Sequence, residues 1–541
     1  MTLVASPRSS TLTRGLREWP REGRGAGEGS RVRADQWRVC GNKEQARRAA
    51  LAPPRTRTMA EDRRRRFGGI VFAMDYISQL SDDLILHIFS FLDHKRIHQN
   101  QCIVQAWHST WTSNPYITLS LPAGSRRKNF IAFMDKVLLS CTAINVKRFL
   151  FDAPFHASMQ SSIDRWLHFA VRHDLEEVSM TLHSWRFDIY ALPQFLFLCT
   201  TLASFHVSRC CFSMIGAVNC SSLKRLHIEH AELREDVMMR VLSGSPVLEF
   251  LELKCCWGFM HIMIESRGLR ELVIDSHEFR RVHNQILRIS APHLLKLHQL
   301  GDFWGGEFEL DGVSSLVEAE LNFNVEIFTI NHFKAHGDLV KGLLQRLHHV
   351  TKLVMGSLHL QVLSLMEAKE VFLPSLECRH LKFLVAADHE GVPGIAKILE
   401  SSPHLEKLFL QMTCTPSAVT RFIVENVARR DFDAEEFRNS AKWRINLCPT
   451  HLKHVEIVDP SADLMAWEPV LSMLKFLLQN APCLDEILIN SANSKSSKVI
   501  DPWGLLEVAQ TILSHPKCSP TVKVILKYPS QGCPSKRAGK S

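Results

Sequence analysis

The sequence is most informative at first for what it lacks. No segment of the 541 residues comes near the roughly 18 to 20 consecutive apolar residues needed to span a bilayer, so no membrane partner is expected. Residues 1–74 have no apolar core of a secretory signal. They are also too rich in acids for an organellar leader, with Glu18, Glu22, Glu28, Asp35, Glu44, Glu61 and Asp62 among them. The 15 cysteines are an odd, scattered set without a CxxC pair. That disfavours both zinc ligation and a secreted disulfide framework, and points to buried reduced thiols in a cytoplasmic and/or nuclear protein. G-x-S-x-G, H-E-x-x-H and G-x-G-x-x-G are all missing, so the sequence offers no catalytic residue, no metal site and no cofactor. His227 and His230 share an HxxH spacing, but His227 lies between Leu226 and Ile228 on an expected strand and reads as a surface histidine.

A basic body is lacking too. Residues 1–74 hold 17 Lys and Arg against 7 Asp and Glu. That surplus exceeds the chain's total of +9 and leaves residues 75–541 at −1. Nucleic acid is therefore not an expected partner of the folded body, and any phosphate affinity belongs to the tail with its Arg63–Arg66 run. This tail, rich in Arg, Gly, Ser and Pro without hydrophobic periodicity, is expected to be disordered, as is 528–541.

An ordered helix announces itself abruptly in ISQLSDDLILHIFSFL, residues 77–92. Ser81 is an N-cap candidate, Asp82 and Asp83 oppose the positive end of the helix dipole, and Leu80 and Ile85 have the spacing of a hydrophobic staple. Leu84, Ile85, Ile88, Phe91 and Leu92 form an apolar stripe that Leu86 and Phe89 widen, a surface needing burial on more than one side. Further on, Trp107 and Trp111 share a helix face, and Pro115 follows as a stop.

Residues 77–119 resemble an F-box, the adaptor-binding module of cullin-based ubiquitin ligases. Ile77, Leu80, Asp82, Leu84, Ile88, Phe91, Leu92, Trp107 and Trp111 stand at the matching positions. Ser81 replaces the usual proline, and Val104-Gln105-Ala106 the usual Ser-Lys-Arg. The resemblance implies that Leu80, Ser81, Asp82, Leu84, Ile85, Ile88, Phe91 and Leu92 face a Skp-family adaptor and, through it, a cullin. Ile77, Trp107 and Trp111 would hold the module's core.

A second signal is the recurring phrase L-x-x-L-x-L, as in Leu223/Leu226/Ile228 and Leu248/Leu251/Leu253. From 175 to 316 its starts are 27, 21, 25, 21, 25 and 22 residues apart, the spacing of leucine-rich repeats. Cys210 and Cys256 fall just after the phrase, where a buried thiol suits the turn. Each phrase predicts a short strand, each intervening segment a helix or irregular return, and the units must stack to bury their apolar faces. The fold class is thus α/β: a short helical module followed by a solenoid of parallel strands. Regularity fades at about 322–400, where an insertion or degenerate repeats are expected. Residues 445–527 predict strand, helix, strand, helix and strand, with Pro469 opening the first helix and Pro482 following it.

This last block resembles the FBD domain of plant F-box proteins with leucine-rich repeats. The domains expected are a tail at 1–74, an F-box module at 75–120, repeats at 121–444, an FBD-like block at 445–527, and a tail at 528–541. Together the resemblances imply the substrate-recognition subunit of a Skp-cullin-F-box ubiquitin ligase, a non-catalytic role with an unknown target protein on the repeats. A non-ligase scaffold and a ligand-dependent sensor are the alternatives.

Overall fold

Alternate side chains of a strand face one way, and the repeated phrase puts apolar ones there in rung after rung. The computed structural model describes residues 80–92, 110–121, 126–183, 189–212, 216–276, 285–303, 306–324, 330–367, 373–386, 392–413, 449–458, 468–491 and 502–527. After helix α1 (Asp82–Phe89) the phrases build one parallel sheet of 15 strands. In order these are β1 (Tyr116–Ser120), β2 (Arg148–Pro154), β3 (Glu177–His183), β5 (Ser204–Ser208), β7 (Arg225–Glu229), β8 (Phe250–Lys254), β10 (Glu271–Asp275) and β12 (Lys296–Asp302). They continue as β14 (Glu318–Asn324), β15 (Lys352–Met355), β16 (His380–Ala386), β17 (Lys407–Thr413), β18 (His454–Val458), β19 (Glu486–Asn490) and β20 (Lys523–Lys527). The α/β solenoid expected from the repeats is the fold observed.

Register carries one apolar file through the sheet. Phe205 pairs with Leu226, Leu226 with Leu251, Leu251 with Leu272 and Leu272 with Leu297, and beyond β14 the file runs Leu353, Leu381, Leu408, Val455, Ile487. All of these are at most 1% exposed, each contributing about 1.5–3 kcal/mol of burial. The strand exits repeat as well. Arg209, His230 and Cys255, the residues after β5, β7 and β8, share a left-handed backbone. Of the described thiols, Cys199, Cys210, Cys220, Cys255 and Cys378 are buried as expected, whereas Cys483 and Cys518 are exposed. Cys378 Sγ lies 3.2 Å from the Val350 carbonyl, and the half-buried Cys256 Sγ 3.4 Å from that of Ile228 one rung back.

The structure differs from the sequence reading at several places. β1 and β2 precede the first phrase recognised at 175, so residues 116–120, assigned to the helical module, open the repeat sheet. Their inward residues Ile117, Phe149 and Phe151 are fully buried. Aromatic residues at the inward positions of β2 hide the leucine pattern. The sheet also runs unbroken through 322–400. What lengthens there is the return, with helices α5 (Ile330–Arg346), α6 (Ser357–Glu367) and α7 (Val392–Glu400). Elsewhere the returns include α2 (Arg127–Ser140), α3 (Gln160–Arg172) and α4 (Glu235–Ser243). Between β8 and β14 they become strands: β9 (His261–Glu265), β11 (Gln285–Ser290) and β13 (Gly306–Asp311) form a second parallel sheet. Period-two stretches such as His261-Ile262-Met263-Ile264 carried that signal. Two further short strands, β4 (Tyr190–Ala191) and β6 (Cys210–Cys211), pair with one another. At the far end, α8 (Glu468–Asn480) and α9 (Pro502–Ser514) back β18–β20, which extend the same sheet.

Helices α6 and α7 meet at close range. Gly394 N donates to Ser364 Oγ (2.7 Å), which donates to the Leu360 carbonyl (2.9 Å). A Cβ on Gly394 would collide with that same carbonyl. Gly394→Ala should therefore cost about 1–3 kcal/mol, read as a lowered denaturation midpoint.

Two imidazoles lie buried nearby: His336 and His359 are 2% and 0% exposed, 5.2 Å apart, with Phe323 against both rings. Burial pushes His336 down to about 4, and burial together with His336 pushes His359 well below its ordinary value. The unfolded chain takes up these protons below about pH 6.5 and the folded one does not. Stability is thus intact above that pH and is lost, by about 1.4 kcal/mol per pH unit for each ring, as pH falls toward 4. Thermal melts from pH 7 to 5 should show a shallower fall for His359→Leu than for the wild type.

Candidate functional site

Helix α1 has apolar residues around more than half its circumference, and the structure divides them between two faces. Ile85 and Phe89, at i and i+4, are 1% and 0% exposed and form a small core with Leu80, Leu86, Ile88, Leu92 and Trp111 packed against it. Leu84 and Phe91 turn outward, 51% and 76% exposed, and Ile88 is half-buried between the two faces. Ile85, placed by sequence on the adaptor face, is therefore a core residue in this structure, because it shares the helix face of Phe89. Phe89 is fully buried, although the sequence shows it only as widening the stripe. Its i, i+4 relation to Ile85 was the available signal.

Ser81 holds the N-cap position, with extended backbone and its carbonyl accepting from Ile85 N (3.0 Å), but its side chain makes no capping bond. Asp82 and Asp83 occupy the first turn as expected. Asp82 Oδ1 accepts from Thr110 Oγ1 (2.9 Å), which ties the helix start to the segment carrying Trp111. Ile77 and Trp107 lie outside the described residues, as do Val104, Gln105 and Ala106.

The module is fastened to the first repeats. Arg148 Nη1 donates to the Ser90 carbonyl at the end of α1 (3.3 Å), and its Nε donates to Glu177 Oε2 (2.9 Å). Its guanidinium stacks on Tyr116, 5.7 Å from the ring centre. A cation at a helix C-terminus also answers the negative end of the dipole. Thr142 N donates to the Thr112 carbonyl (2.7 Å) on the same joint.

The open face of the sheet, made by the residues between the buried ones, is the second surface. It is laced by cross-strand pairs: His227 Nδ1 donates to Glu252 Oε2 (2.7 Å) and His298 Nδ1 to Glu320 Oε2 (2.8 Å). The hydrogen bond from His298 to Glu320 raises the His298 pKa. Burial, then the charge of His227, lowers that of His206. Of the HxxH pair, His227 is thus held by Glu252, and His230 sits at the strand exit with Nε2 3.6 Å from Glu229. Among the described residues no three His, Cys, Asp or Glu converge on a possible metal position. Toward the C-terminal end the face sinks into a depression of about 490 Å³, lined by Lys407, Phe409, Lys453, His454, Glu456, Asp485 and Glu486. Sequence reading had marked none of these, since residues brought together by lateral pairing are far apart in the chain.

Ile85→Ala should loosen the module by about 2–5 kcal/mol, and Leu84→Ala should change it by about 0.5 kcal/mol or less. Amide hydrogen exchange of α1 reads the difference.

Comparison with known proteins adds two findings. A family model described as "FBD-associated F-box protein At5g56370, LRR repeats" matches residues 163–314. The chain is also similar to proteins of Arabidopsis thaliana. It is 29% identical to F-box/LRR-repeat protein At5g02910 over 374 residues, covering 67% of this chain and 77% of the relative. It is 27% identical to F-box/LRR-repeat protein At3g03360 over 356 residues (62% and 70%). With F-box/LRR-repeat protein At3g58930 the identity is 24% over 474 residues, covering 81% and 95%.

Proposed function

We propose that this chain, which belongs to the plant F-box/leucine-rich-repeat family, is the substrate-recognition subunit of a Skp-cullin-F-box ubiquitin ligase. In that role α1 docks on a Skp-family adaptor and, through it, on a cullin, and the open face of the repeats holds the target protein. The observation that carries the first half is the outward pair of Leu84, on α1, and Phe91, in the turn just past its end, beside a core that among the described residues is formed by Ile85 and Phe89. Large apolar side chains held outward by a packed helix are what a helix-on-helix interface uses. Ile88, half-buried between them, completes the expected contact row, and Leu80 and Leu92 border it.

The contribution to chemistry is proximity. A target bound on the repeats is presented at high local concentration to an enzyme brought by the other subunits. The Arg148 joint serves this purpose, because a module fastened at both Ser90 and Thr112 holds the target at a fixed distance from the adaptor. Cytoplasm and nucleus are the compartments proposed. Buried thiols suit them, since burial raises the pKa of Cys256 and Cys378 to about 12 and leaves little reactive thiolate.

Affinity purification of the full-length chain beside a Leu84→Asp/Phe91→Asp variant tests the reading. The wild type is expected to carry adaptor and cullin, and the variant to lose both while keeping its melting temperature. Absence of adaptor and cullin from the wild type overturns the ligase role and leaves a scaffold.

A further inference from the structure

Cations on the open face of the sheet commonly close on an acid of a neighbouring strand. Lys254 does so on Glu229, Lys296 on Glu271, Lys352 on Glu318 and Arg379 on Glu406. Lys382 of β16, Lys407 of β17 and Lys453, just before β18, stand apart. Among the described residues none of the three has an ion-pair partner. Register draws them together: His380 pairs with Lys407 and Lys407 with His454, so the lysines lie on a diagonal across three strands spaced about 4.8 Å apart. Burial is the main cause that holds the His380 pKa down; the charges of Lys407 and Lys352 add to it and that of Glu406 opposes it.

Phe409 sits half-buried between Lys382 and Glu456, its partners on the strands to either side, with its ring 6.0 Å from that of His454, the partner of Lys407. The opposite wall of the depression is acidic, but its acids are largely engaged: His454 Nδ1 donates to Glu486 Oε1 (2.6 Å) and Asn490 Nδ2 to Glu456 Oε1 (2.9 Å). A basic wall, an aromatic floor and an acidic far wall do not suit a continuous polyanion, which Glu456, Asp485 and Glu486 would repel. They suit a short chain segment whose charge is local.

We propose that this depression is the target-docking site, and that its occupant is a peptide segment of the target protein. The segment sets an Asp or Glu side chain against Lys407 and a neighbouring apolar side chain on Phe409; Lys382, the cross-strand partner of Phe409, stands at the edge of the depression. This rests on the reading of the repeats as target-binding and adds the chemistry of what they bind.

A phage-displayed library of random linear peptides, selected on the immobilised full-length chain, supplies the probes. Synthetic copies of the selected sequences are then titrated by fluorescence anisotropy. The expected winners carry Asp or Glu beside Leu, Ile, Phe or Trp, weaken with added salt, and lose about tenfold or more in affinity to Lys382→Glu/Lys407→Glu. Phe409→Ala should weaken them as well, and Lys523→Glu, on the far strand β20, should not. Acid-poor winners, indifference to the charge reversal, or equal competition by single-stranded DNA would overturn the proposal. Adaptor capture by the same variants is measured in parallel. Its loss in the wild type with peptide binding intact refutes the ligase reading alone, and its retention with no acidic peptide selected refutes the docking site alone.

Discussion

A strand with apolar side chains on one face cannot bury them within its own repeat; it must gain a neighbour on each side and a cover beneath. In this protein that requirement is met by stacking, and the file from Phe205 through Leu297 and on to Ile487 is the outcome. A slip of one residue would turn every inward leucine to water, so the apolar file holds the register. The polar residues between the leucines are then held in register as well, with no interaction of their own needed to align them. Ion pairs such as Lys254 with Glu229, and the diagonal of Lys382, Lys407 and Lys453, unpaired among the described residues, are set by a core they do not belong to.

Helix α1 obeys the same rule at smaller scale. Its apolar residues are too many for one face; among the described residues Ile85 and Phe89 form the core, with partial cover from Trp111 and its neighbours. The surplus, Leu84 and Phe91, is left outward. Arg148 joins this local solution to the sheet, because one guanidinium satisfies the helix-end carbonyl of Ser90, the carboxylate of Glu177 and the ring of Tyr116 together.

The return segments are under a weaker constraint. They need only cover the inner side of the sheet, and helices, short strands and irregular chain all do so. That freedom explains why β9, β11 and β13 replace helices in mid-chain, and why the helical returns α5–α7 lengthen the repeats at 322–400 without breaking the sheet. It also admits costly residues. His336 and His359 are buried beside Phe323 at the price of a protonation equilibrium that favours unfolding in acid.

Much of the architecture was legible in the chain because period and spacing are local properties. The L-x-x-L-x-L phrases determined parallel strands and their stacking, the Ser81-Asp82-Asp83 start placed α1 to the residue, and Pro469 and Pro482 bracketed α8. β2 escaped because Phe149 and Phe151 stand where leucine was sought, and β1, with Ile117 and Leu119 inward, because its residues were assigned to the helical module. The site was only half legible. Sequence identified the apolar helix but could not apportion its faces, since which residues turn inward depends on what Trp111 and Leu92 leave uncovered. The depression around Phe409 was invisible for a deeper reason. Its lysines and its acidic wall come from separate repeats, and only lateral pairing of the strands, a tertiary fact, brings residues 382, 407, 453 and 486 to one place.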